Sequence, residues 1–89
     1  MARFELSESN YAVLGEGPAN ANTLFDLGLM YSVGRSVPID YVTAHKWFNL
    51  AAMQGNREAA RRRQEIAEQM STAEIAAAQR AARAWLKAA

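Results

Sequence analysis

A chain of 89 residues has room for one small domain, which would bury only about 60–65% of the surface its unfolded form exposes. With 51% hydrophobic and 21% charged residues it has the composition of a globular protein rather than a disordered one. Its net charge of +1 is too near balance for a polyanion-binding domain that works by counterion release, and the absence of cysteine excludes a disulfide framework and a thiolate metal site.

The first ten residues, MARFELSESN, carry acidic groups early and no apolar run, so they read as neither a signal peptide nor a membrane span. The expected address is cytoplasmic, with membrane association only through a partner complex. Residues 1–20 read as an N-terminal arm, closed off by the Gly/Pro/Asn cluster GEGPAN. Within the arm Phe4 and Leu6 alternate with Arg3, Glu5 and Ser7, a period of two that suits an extended strand as well as a frayed tail.

From Ala21 the period changes. Leu24, Leu27, Gly28 and Tyr31 fall at i, i+3, i+4 and i+7, which predicts an amphipathic helix over 21–32. Gly34 and Pro38 make a turn, and Asp40 is placed to accept from the free backbone N–H groups of a second helix, over 41–54. That helix carries Tyr41, Ala44, Trp47, Phe48, Ala51 and Ala52 on one stripe, and Gly55 can adopt the left-handed conformation that ends it. Large residues facing small ones allow close approach, so the two helices should form an antiparallel hairpin with Gly28 at the contact.

Asn56 can cap a third helix over 57–70, whose thin apolar face is Ala59, Ile66 and Met70 with the stem of Arg63 beside them. Ser71 followed by Glu74 is a capping box that starts a fourth helix running to about Lys87. Ile75, Ala78, Ala82, Trp85 and Leu86 should face inward on it, with Arg80, Arg83 and Lys87 outside.

The stretch over 24–59 resembles the Sel-one-like repeat, a relative of the tetratricopeptide repeat. Leu27, Gly28, Tyr31, Gly34, Val37, Asp40, Ala44, Trp47, Phe48, Ala51, Ala52, Gly55 and Ala59 stand at the positions of that family's pattern. Ser36 departs from it, standing where the loop's second glycine is usual. The tail MSTAEIAAAQRAARAWLKA, from Met70, is similar to the final helix of bacterial members. The resemblance implies an all-α fold of about four helices, an antiparallel helix-hairpin repeat or α-solenoid fragment over 21–89 behind the extended arm. Such arrays generally need about three repeats to stand alone, so the face of the first hairpin that would receive a preceding repeat is open.

Three consecutive arginines, Arg61, Arg62 and Arg63, with Arg57 a turn earlier, invite an acidic or nucleic-acid partner. On a helix, however, three consecutive residues fan across about 200°, and Glu58 and Glu65 lie within pairing distance, so a solvated face competes with that reading. His45, the one histidine, has no carboxylate at i±3 or i±4 and reads as an exposed helix residue rather than a metal ligand. Tyr31, Trp47 and Phe48 read as core, and Trp85 either as the closing contact of the last helix or as an anchor for a partner.

No nucleophile–base pair, phosphate loop, cofactor motif or metal-ligand set appears in the sequence. The expectation is a non-enzymatic protein-interaction module without cofactor, an accessory subunit or adaptor in a larger bacterial assembly. It would bind a protein partner or multi-subunit complex rather than nucleic acid or the membrane itself, and self-association is open to it. The alternative is a regulatory protein that binds and inhibits an enzyme or transcription factor. The expected partner contacts are Phe4 and Leu6 in the arm, Tyr41 and Trp85 at helix edges, and Arg61 and Arg62 on the outer surface.

Overall fold

Each of four helices begins on a polar side chain that accepts a hydrogen bond from the backbone three residues on. Asn20 accepts from the Thr23 N–H at 2.9 Å, Asp40 from Thr43 at 3.1 Å, Asn56 from Ala59 at 2.8 Å, and Ser71 from Glu74 at 3.0 Å. These caps satisfy donors that a helix start leaves free. They set off α1 (Ala21–Val33), α2 (Tyr41–Met53), α3 (Arg57–Ala67) and α4 (Thr72–Ala88) in a computed structural model that describes residues 20–88. The predicted arm lies outside the described residues, apart from Asn20.

The helix ends also follow from the residues present. Gly34 takes a left-handed φ of 79° and donates its N–H to the Met30 carbonyl, closing α1. The Asp40 N–H donates to the Tyr31 carbonyl at 2.9 Å, which ties the end of the turn back to α1. Gly55 has φ 98°, and the N–H of Asn56 reaches the Ala51 carbonyl at 3.1 Å, closing α2. α3 stops at Ala67, three residues short of the expected end. There Gln69 and Met70 donate to the carbonyls three residues back, a tighter turn that brings Met70 against the core and frees Ser71 to cap α4.

The fold is all-helical, with no strand among the described residues. α2 is the central helix, and α1, α3 and α4 all pack against it. Leu24, Phe48 and Leu50 are the largest fully buried side chains, each contributing on the order of 1.5–3 kcal/mol by burial. Ala44, Ala51, Ala59, Ala78 and Ala82 complete most of the core, letting the helix axes approach. Glu74, in the first turn of α4, lines the same cleft as Tyr41 at the start of α2, and Trp85 near the end of α4 meets Trp47. α4 therefore runs in the same direction as α2.

Two burial expectations are corrected. His45 is only 4% exposed, because α2 is covered on several sides and positions off its main stripe are enclosed as well. Leu50, outside the predicted stripe, is buried for the same reason. Leu86, expected to face inward, is 44% exposed; α4 meets α2 through Ala78, Ala82 and Trp85, and Leu86 lies one position past that contact.

Candidate interaction surface

α1 is rich in apolar residues, and its exposed side chains are Asn22, Thr23, Asp26 and Val33. Leu24, Phe25, Leu27, Leu29, Met30, Tyr31 and Val33 crowd its 13 residues, and Asp26 is its one charged side chain. A helix with that composition is ordinarily enclosed. Here only Leu24 and Gly28 are fully buried, Phe25, Leu29 and Tyr31 are partly covered, and Val33 remains 58% exposed.

The exposed apolar character continues past the end of α1. Ile39 packs beside Gly34, where a Cβ would stand 2.9 Å from its Cγ1, yet is itself 59% exposed. Tyr31, Pro38, Ile39, Tyr41 and Val42 line a cleft of about 460 Å³, with the carboxylates of Asp40 and Glu74 at its edge. Both carboxylates are engaged in capping. Asp40 accepts from the N–H and, at 2.7 Å, from the hydroxyl of Thr43, and these bonds hold its carboxyl below the usual range. Glu74 accepts from the Ser71 N–H at 2.8 Å, completing the capping box.

The six expected contact residues do not converge. Phe4 and Leu6 lie outside the described residues. Tyr41 is half-buried at the cleft. Trp85 packs edge-on against Trp47 with ring centroids 5.9 Å apart, half-buried, so it finishes the α2–α4 contact with part of its surface left open. From Glu74, beside Tyr41, to Trp85 is about 16 Å along α4 at 1.5 Å per residue.

Arg61 and Arg62 share one carboxylate, Glu58, at 2.8 and 3.0 Å. Glu65, expected to join them, makes no ion pair among the described residues, where both guanidiniums are turned toward Glu58. Arg63 turns the other way and donates to the Asn49 Oδ1 of α2 at 2.6 Å. The three arginines thus serve two different surfaces.

The sequence reading missed Val33 and Ile39, though the high apolar content of α1 was a signal for them. It missed Lys46 as well, whose ammonium lies 4.0 Å from the centre of the Trp47 ring, and burial lowers the pKa of that ammonium.

No helix among the described residues is long and apolar enough to cross a membrane, and no group of three His, Cys, Asp or Glu side chains among them could hold a metal ion. Comparison with protein-family models, with curated proteins and with solved structures gives no significant match.

Proposed function

We propose that this chain is a protein-interaction module, an accessory subunit or adaptor rather than an enzyme, and that its partner docks on the outward side of α1 and the adjoining Val33–Ile39 turn. The observation that carries this reading is the exposed apolar surface where α1 runs into its turn, Val33 and Ile39 each being more than half exposed beside the partly covered Leu29 and Tyr31. Exposed apolar surface of that kind on a small domain is a feature of interaction sites. Phe4 and Leu6 would add a second contact from the arm, and Tyr41 one from the cleft.

The resemblance to the Sel-one-like repeat enters on the same terms. In its favour, several pattern positions have the physical role the pattern would require. Gly28 lies against Phe48, Gly34 and Gly55 have positive φ, and Asp40 caps α2. Ser36, at the place of the usual second glycine, has a left-handed φ of 69°. On this reading α1 is the end of a helical stack that would receive a preceding unit, and a bacterial assembly supplies that unit.

The test is affinity capture from the native cell, comparing the wild-type chain with a Val33→Asp/Ile39→Asp double variant. Both side chains are more than half exposed, so the variant should keep its helicity and melting behaviour. A partner retained by the wild type and lost by the variant supports the proposal, and equal retention by both refutes the α1 surface.

A further inference from the structure

His45 is the one buried polar side chain among the described residues, and its Nδ1 is enclosed with no hydrogen-bond partner. The ring faces α3. Asn49, one turn further along α2, receives the Arg63 guanidinium from α3, and the charge of Arg63 acts on the imidazole. α3 buries Ala59 and Ile66, the same small number as α1 and α4, so what sets it apart is the polar Arg63–Asn49 contact beside the buried ring.

Arg63 is the one charge that acts on the imidazole, and Glu68, at the end of α3, is exposed. α1 carries only Asp26, and α4 carries Glu74, Arg80, Arg83 and Lys87, all exposed. On α3, Glu58 is engaged by Arg61 and Arg62. Arg57 and Glu65 are exposed there too, and on α2 Lys46 lies over Trp47. None of these is among the charges that act on the imidazole.

We propose that the α2–α3 contact is a pH-sensitive joint, in which protonation of His45 releases α3 from α2. A protonated ring would place an N–H at Nδ1 where no acceptor waits, and a second cation beside Arg63. Either change is costly in an enclosed site. Consistent with this, burial first and Arg63 second hold the ring's pKa below its ordinary 6.5.

The direction of the effect follows from that lowering. The released state takes up a proton below 6.5 while the packed state does not. Above 6.5 both are neutral and the contact is unaffected. As pH falls from 6.5 toward the packed-state value, release gains up to about tenfold per pH unit.

The experiment is amide exchange of the full chain, corrected for intrinsic rates, between pH of about 7.5 and 5, alongside an NMR titration of the His45 ring. The α3 amides should lose protection by up to about tenfold per unit below 6.5 while those of α1 and α4 keep theirs. Arg63→Gln should move the ring's titration midpoint upward, and His45→Leu should abolish the α3 response. If His45→Leu does not fold, the wild-type titration and Arg63→Gln still decide. A ring that titrates at or above 6.5, or loss of protection in α1 and α4 in step with α3, would overturn the joint.

Discussion

Gly28 and Phe48 meet face to face at the crossing of α1 and α2. A Cβ added at position 28 would stand 3.0 Å from the ring's Cγ and closer still to Cδ1 and Cε1. Phe48 is fully buried, and the atoms a Cβ would meet belong to its ring. The mid-helix glycine, which costs about 1 kcal/mol in helix propensity relative to alanine, is what permits the approach.

Gly28→Leu should therefore overpack the crossing and cost at least about 1–3 kcal/mol, a large fraction of the stability of a small domain. The milder Gly28→Ala should also destabilise, because the enclosed ring would have to shift to admit the Cβ and that cost outweighs the propensity gain. Pairing Gly28→Ala with Phe48→Leu should recover part of the loss. Urea unfolding of the two single variants and the double would show the coupling, and strict additivity would mean that the residues do not touch.

Ser36 holds a left-handed φ of 69°, a region that costs a residue with a Cβ about 1–2 kcal/mol. Its side chain is exposed and makes no hydrogen bond among the described residues that would offset this strain. Ser36→Gly should raise the midpoint of thermal unfolding, by something under 1 kcal/mol once the greater freedom of glycine in the unfolded chain is counted. A lowered midpoint would mean that the turn relies on the serine.

At the start of α4 the hydrogen bonds run both ways, from the Glu74 N–H to Ser71 Oγ and from the Ser71 N–H to Glu74 Oε1. Ser71→Ala should cost about 1 kcal/mol, visible as an earlier melt and faster exchange in the first turn of α4. Ser71→Asp, which restores an acceptor, should recover most of it. If alanine and aspartate behave alike, the cap contributes nothing measurable.

Local chemistry was the part of the fold most readable from sequence. Asp40, Asn56 and the Ser71/Glu74 pair announce helix starts through rules acting over three residues, and α1, α2 and α4 begin and end within a residue of expectation. What sequence reading could not supply was how many neighbours a helix has. The burial of His45 and Leu50 follows from the central place of α2, and the exposure of Leu86 from the narrow contact of α4, neither of which a single helix's periodicity records. The candidate surface was hidden for a related reason. Periodicity picked out the inward stripe of α1, while Val33 and Ile39 lie off it and stand out only once the neighbours of the helix are in place.

Trp47 and Trp85 are the chain's two tryptophans, and they sit against one another, one on α2 and one on α4. Intrinsic tryptophan emission, excited where tyrosine does not absorb, will therefore be sensitive to the docking of α4 on α2, since α1 and α3 contain no indole. Comparing that signal with far-ultraviolet dichroism, which sees every helix, distinguishes loss of the last helix from loss of the whole fold without any label. In a two-state protein the two curves coincide, and a gap between them would measure how independently the C-terminal helix is held.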